Sequence, residues 1–389
     1  RGKGGLAATL TEMAFGNGIG FTVSSDVSPE DLFALRYGAI VVETDAEKGA
    51  QWAQQLSAVA VVARTIEEPE AVAGDVRISL SELQAAWEKP LSRIFPLHSQ
   101  SADGSAELPL YTTHGPKRRE SFGKPRVFIP VCPGTNCEYD SADAFEAAGA
   151  VTDTFIIRNE TPQALEDSIE EMKKRIGQAQ IIMFPGGFSA GDEPEGSGKF
   201  IATLFRNPAL AEALESLLYK RDGLVLGVCN GFQALIKLGL LPYGHIQPLK
   251  ADSPTLTYNT IGRHLSRMVD TKVVSVMSPW FANVKAGDIH TVAISHGEGV
   301  FVASSEQIRQ LAAKGQIATQ YVDLNGKATY DSTFNPNQSV FAVEGITSPD
   351  GRVLGKMAHT ERYTGETMFR NIDGNKVQPI FAAGTEYFK

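Results

Sequence analysis

The chain predicts an α/β protein: a doubly wound, mainly parallel sheet, preceded by a smaller and partial α+β unit. Three observations predict it. From Arg126 onward, short continuous apolar runs alternate with helical segments, the pattern of strands covered by helices on both faces. Three of these runs end in Gly-rich turns, Pro133-Gly134-Thr135-Asn136, Pro185-Gly186-Gly187-Phe188 and Gly227-Val228-Cys229-Asn230-Gly231. In an open α/β sheet the site lies outside the carboxyl ends of the strands. Finally, 389 residues exceed what one core normally organises, so two domains are expected.

Each element follows from its residues. Leu6, Leu10, Met13 and Ala14 share a helical face, and Gly16-Asn17-Gly18 stops that helix. Ala39–Val42 and Val59–Val62 read as strands flanking a helix near Lys48–Leu56, and this first unit ends near Trp87. Prolines, serines and the basic cluster Lys117-Arg118-Arg119 mark residues 90–124 as a linker packing over the surface. Then come the strand Val127–Val131, a helix Ser141–Ala150, the strand Val151–Ile157 and a helix Thr161–Ile176, whose Thr161-Pro162 supplies cap and first turn. The strand Ile181–Phe184, a helix Lys199–Tyr219 and the strand Gly223–Leu226 complete the series.

Composition narrows the function. Hydrophobic residues are 42%, charged residues 21% and net charge −9, which argues against nucleic acid or an anionic membrane as main partner. The apolar stretch Leu224–Leu241 is broken by Asn230, Gln233 and Lys237 and is no membrane span. Three cysteines make no disulfide framework and suit a reducing cytoplasm, and their spacing makes no zinc pattern. The opening Arg1-Gly2-Lys3-Gly4-Gly5 looks like the tail of a longer polypeptide.

Cys229 carries the chemistry. A buried strand turning through glycines into a helix leaves one side chain at the apex, over N–H groups and a dipole that favour an anion. Gly187 and the N–H of Asn230 would form the two halves of an oxyanion hole. A thiol nucleophile needs a base and the base an orienter. Two pairs offer this, His296-Gly297-Glu298 and His359-Thr360-Glu361, since residues i and i+2 share a face of an extended segment. Spacing does not choose between them. His98, His114, His245, His264 and His290 lack such a carboxylate. Glu195-Gly196-Ser197-Gly198-Lys199-Phe200 is not a phosphate loop, because its first Gly is misplaced and Phe200 stands where Ser or Thr is needed. Gly16-Asn17-Gly18-Ile19-Gly20 ends a helix and is no dinucleotide fingerprint.

Taken in order, the elbow, the double-glycine turn and the late His-x-Glu resemble class I glutamine amidotransferases of flavodoxin-like fold. Pro133–Cys137, Pro185–Asp192, Gly227–Gln233, His296–Gly299 and His359–Arg362 are similar to the glutaminase of the phosphoribosylformylglycinamidine synthase family of purine biosynthesis. Gly4–Ala7, Thr11–Ala14, Leu32-Phe33 and Gly38-Ala39 resemble the end of that family's synthase domain. The resemblance implies the C-terminal portion of the large single-chain form: residues 1–89 incomplete synthase domain, 90–124 linker, 125–389 glutaminase. It implies a ligase that releases ammonia from glutamine at Cys229, His359 and Glu361, with Gly187 and Asn230 holding the oxyanion. Gln233, Phe188, His296 and Glu298 would contact substrate or the ammonia path. No cofactor or metal is implied for the glutaminase. ATP and Mg2+ would serve the complete synthase, where formylglycinamide ribonucleotide receives the ammonia through an internal passage from upstream domains of the same chain. Where the family often has Pro between the triad His and Glu, this chain has Thr360. A cysteine hydrolase or chaperone of related fold, or a catalytically silent fragment, would also display the elbow.

Overall fold

The computed structural model describes every residue except 1, 2, 98, 103, 116–120, 122, 192–196, 364, 366–368 and 370. The basic cluster at 117–119, His98, Asp192 and part of the rejected phosphate-loop segment therefore lie outside the described residues. Two compact units divide the chain, Arg1–Leu97 and His98–Lys389.

In the first unit the helix Gly5–Phe15 buries Leu6, Leu10 and Ala14 against Phe21 and Leu80. Met13, expected on that face, is exposed: the buried positions recur every four residues, and Met13 flanks the stripe. A four-stranded sheet runs in the order Ala63–Ile66, Gly20–Val23, Glu70–Ala73, Val76–Ser79. Neither Ala39–Val42 nor Val59–Val62 is a strand. Their apolar character resembles a buried strand, but Ile40 and Val42 are exposed and find no neighbouring ladder. The ladder starts at Ala63, opposite Val23.

The second unit is built on a nine-stranded sheet. Its parallel half comprises β1 (Arg126–Val131), β2 (Val151–Ile156), β3 (Ile181–Phe184), β4 (Leu224–Val228) and β11 (Val353–Lys356), in the order β2-β1-β3-β4-β11. That is the flavodoxin-like order. Beyond β11 the sheet turns antiparallel through β10 (Val343–Thr347), β9 (Ile317–Val322), β6 (Leu265–Val273) and β7 (Ile289–His296). A small pair, β5 (Thr255–Thr257) with β8 (Val300–Val302), sits apart from it.

Every residue of β3, β4 and β11 is buried, which is why β3 and β4 read as unbroken apolar runs. The connecting helices are α1 (Glu138–Ala147), α2 (Pro162–Gln178, capped by Thr161), α3 (Lys199–Phe205), α4 (Pro208–Glu215) and α5 (Asn230–Lys237). The segment expected as one helix over 199–219 is broken by Pro208, which lacks an N–H and takes the first helical position while Asn207 caps the new start. Residues 105–115 run over this unit. Ala106 is buried, the Tyr111 N–H donates to the Val274 carbonyl at 2.8 Å, and Gly115 pairs with Met277 at 3.0 Å.

The turn between β4 and α5 brings backbone against backbone. A Cβ on Gly231 would stand 2.0 Å from the Phe184 carbonyl oxygen at the end of β3. Gly231→Ala is therefore expected to destabilise the large unit by about 1–3 kcal/mol, as an overpacked core does, read as a lowered thermal midpoint. An unchanged midpoint would mean that β3 and α5 separate without cost.

Candidate functional site

Four loops meet at the carboxyl ends of adjacent parallel strands. β1 leads to Cys132–Cys137, β3 to Pro185–Phe188, β4 to Cys229, and β11 to His359. Cys229 caps α5 with φ +50° and ψ −104°, a backbone state costly for a non-glycine residue and typical of a strained strand-to-helix elbow. The thiol is buried, and its sulfur lies 3.6 Å from the Ser295 carbonyl. The Cys229 N–H donates to the Lys356 carbonyl at 2.9 Å.

His359 and Glu361 follow β11 and are both buried. Imidazole Nδ1 lies 2.6 Å from a Glu361 carboxylate oxygen, while Nε2 has no hydrogen-bond partner among the described residues. Burial alone would push the His359 pKa down. The Glu361 carboxylate, and next the charge borne by Cys229, overcome burial and hold it well above the ordinary histidine range. Glu361 is displaced the other way: burial raises its pKa, but His359 outweighs burial and the carboxyl ends below its usual value. One ring nitrogen is thus committed to an orienting carboxylate, and the other is left available toward the cysteine loop.

The double-glycine turn pairs with the β1 loop. The Phe188 N–H donates to the Gly134 carbonyl at 2.8 Å, and Thr135 bridges Gly187. Gly187 has φ +140°, and a Cβ there would meet the Gly134 oxygen at 2.7 Å, so only glycine keeps this loop close. Asn230 opens α5, and its side chain accepts from the Ser189 N–H at 3.4 Å.

The remaining expected site residues divide by what they touch. Gln233 donates to the Glu298 carbonyl at 2.6 Å and accepts from Asn230 at 3.0 Å; its carboxamide braces the loop. Glu298 accepts the Ser197 N–H at 2.9 Å, and its second oxygen has no partner among the described residues. His296 Nε2 lies 3.1 Å from the Asn337 amide nitrogen, and burial, with the His359 and His264 charges, pushes its pKa down to about 3. Phe188 is 43% exposed at the rim beside His264, ring centroids 6.0 Å apart. His264, one of the histidines without a carboxylate partner, is exposed and bonds Ser295 Oγ at 2.9 Å beside the site.

Two features escaped the sequence reading. Cys137, inside a recognised motif but given no role, lies 3.8 Å from His359 Nδ1 and 3.5 Å from an Arg362 guanidinium nitrogen. Cys137, His359 and Glu361 present ligand atoms within 4.8 Å of one another, yet the guanidinium on the sulfur and the imidazole–carboxylate bond already engage those donors. The other feature is the buried pair Lys356–Glu344 behind the histidine, 3.5 Å apart. A lysine inside the apolar run Val353–Ala358 was its one visible signal. In the segment rejected as a phosphate loop, a Cβ on Gly198 would stand 2.5 Å from the Ala234 nitrogen of α5, so this described glycine packs against a helix. No described helix is long and apolar enough to cross a membrane.

Because the folded pKa of His359 is raised, the stability its proton contributes is complete below the unfolded value of 6.5 and is lost as pH rises through the folded value. Glu361→Gln removes the main cause, so the loss of thermal stability on the alkaline side is expected to flatten. Thermal midpoints recorded against pH test this, and an unaltered alkaline slope would refute it.

Residues 124–388 match the model of the CobB/CobQ-like glutamine amidotransferase domain. The chain is 35% identical over 245 residues to phosphoribosylformylglycinamidine synthase subunit PurQ of Methanococcus maripaludis strain C7, spanning 61% of this chain and 82% of that one. It is 31% identical over 249 residues to the subunit of the same name from Aquifex aeolicus, spanning 63% and 94%. Among solved structures it is similar to a chain of PurLQS from Thermotoga maritima, with 26% identity, TM-score 0.49, and 68% of this chain and 100% of that chain covered. A domain match extending over most of the chain, centred on the sheet that carries Cys229, makes this protein a member of the CobB/CobQ-like glutamine amidotransferase family.

Proposed function

We propose that the second unit is the glutaminase of a phosphoribosylformylglycinamidine synthase, with Cys229 as nucleophile, His359 as acid–base and Glu361 as its orienter. The observation that carries this is the 2.6 Å imidazole–carboxylate contact just past β11, beside the strained cysteine elbow that follows the neighbouring β4. In this proposal the Cys229 thiolate attacks the carboxamide carbon of glutamine, and the N–H groups of Gly187 and Asn230 receive the oxyanion. Each such donor is worth roughly 3–4 kcal/mol of barrier. His359 Nε2 protonates the departing ammonia, then takes a proton from the water that hydrolyses the glutamyl thioester. The thiolate forms when the thiol proton passes to Nε2 before attack.

The names of the PurQ relatives support the pathway assignment. Within the proposal, Gln233 acts through the loop it braces, Phe188 lines the entrance, and His296 and Glu298 line the pocket or the ammonia path. Ammonia would pass to a synthase site using ATP, Mg2+ and formylglycinamide ribonucleotide, outside this glutaminase, in the cytoplasm. Residues 1–89, most of the first unit, are proposed as the end of the synthase domain of the single-chain form, joined by the linker 90–124. Its large exposed side chains, Phe33, Tyr37, Ile40 and Val42, are the kind that further synthase structure would cover.

Ammonia release from glutamine is the test. Cys229→Ala and His359→Asn are each expected to lower it by at least about a thousandfold. Cys137→Ala and His296→Asn should have far smaller effects. Turnover surviving in Cys229→Ala would end this assignment, and a greater loss in His296→Asn than in His359→Asn would move the acid–base role to the other pair.

A further inference from the structure

Lys356 closes β11 in full burial, and three of its bonds reach the reacting loops. Its carbonyl accepts the Cys229 N–H at 2.9 Å. Its ammonium donates to the Ala358 carbonyl at 2.8 Å and to the Thr360 hydroxyl at 3.0 Å, the residues on either side of His359. Glu344 lies 3.5 Å from that ammonium, with both side chains wholly out of water. The same carboxylate accepts the Ala358 N–H at 2.7 Å and the Thr319 hydroxyl. The Thr360 hydroxyl donates to the Gln378 side-chain oxygen at 2.7 Å, so it is built into the network.

A buried ion pair is poor value for stability, because losing water offsets most of the attraction. Such a pair earns its place by fixing geometry. We infer that Lys356, paired with Glu344, is a positioning residue that holds the Ala358–Thr360 segment, and so the His359 ring, in register with Cys229. The inference rests on the glutaminase reading above and adds to it the device that joins nucleophile and base. Two shoulders of one histidine are tied to the residue whose backbone also fixes the cysteine loop, so a shift of either loop is resisted by the other.

Two variants test the clamp. Lys356→Met combined with Glu344→Gln removes both charges together and strands neither; Thr360→Val removes only one hydroxyl. In the double variant kcat for ammonia release is expected to fall about tenfold to a hundredfold, the scale of a small misplacement of a catalytic group, with KM changed less than about twofold. Acid-quenched samples should carry glutamyl thioester on Cys229, because attack by sulfur outlasts efficient activation of water by a displaced imidazole. Thr360→Val should show a smaller kcat loss of the same kind. Parental kcat in either variant, or a loss that merely tracks the folded fraction seen by circular dichroism, overturns the clamp and leaves the glutaminase reading standing. If the double variant does not fold, Thr360→Val alone decides. A parental protein that releases no ammonia overturns both.

Discussion

The parallel ladder between β4 and β11 is the constraint on which the site depends. Val353 to Lys356 lie opposite Val225 to Val228, and the next bond, from Cys229 N–H to the Lys356 carbonyl, ends the ladder at the elbow. The thiol leaves one strand and the imidazole the other, though they are far apart along the chain. A parallel pairing sets both departures at the same end of the sheet, and register fixes their spacing. An antiparallel β11 would send His359 to the opposite edge. The crossovers that make this half of the sheet parallel therefore also bring Cys229 and His359 to one end of it.

The ladder alone does not orient an imidazole. His359 and Glu361 are held in a region nearly closed to water, where each charge is expensive unless paired. The pairing is visible in the opposite displacements of their pKa values, histidine up and glutamate down, each caused chiefly by the other once burial is overcome. Arg362 and Asp140 extend the field. The Arg362 guanidinium rests on Cys137, and Asp140 has its pKa raised by burial and by the Glu361 charge. Low polarity strengthens each of these interactions and makes the arrangement sensitive to the removal of any one partner.

Much of the fold was legible because burial on both faces leaves a simple mark. The runs at 127–131, 181–184 and 224–226 needed no partner to be recognised as strands, and Thr161-Pro162 announced a helix start that the structure keeps. Legibility failed where tertiary partners decide. Ala39–Val42 has strand composition but no ladder, so Val41 packs on the small core while Ile40 and Val42 face water. Pro208 splits a helix whose apolar spacing runs through it, because spacing carries no information about a missing N–H. The elbow could be read from glycine positions. Cys137 could not be weighed, since its nearness to His359 is created by the β1 and β11 loops meeting.

The choice between the two His-x-Glu pairs shows most clearly what sequence spacing leaves open. Both histidines are buried and both are followed two residues later by glutamate, yet the neighbours give them opposite characters. Glu361 turns to its own histidine. Glu298 turns away, to the Ser197 N–H. Without a carboxylate, burial dominates at His296 and its pKa falls to about 3. Its Nε2 faces an amide. With that nitrogen engaged and its pKa lowered, His296 is suited to hold a neutral ring in place. The histidine whose carboxylate faces inward keeps a proton within reach of the cysteine loop. Identical spacing thus gives His296, at the end of a strand, a lowered pKa and His359, at the start of a 3-10 turn, a raised one, and the direction of a single glutamate side chain makes the difference.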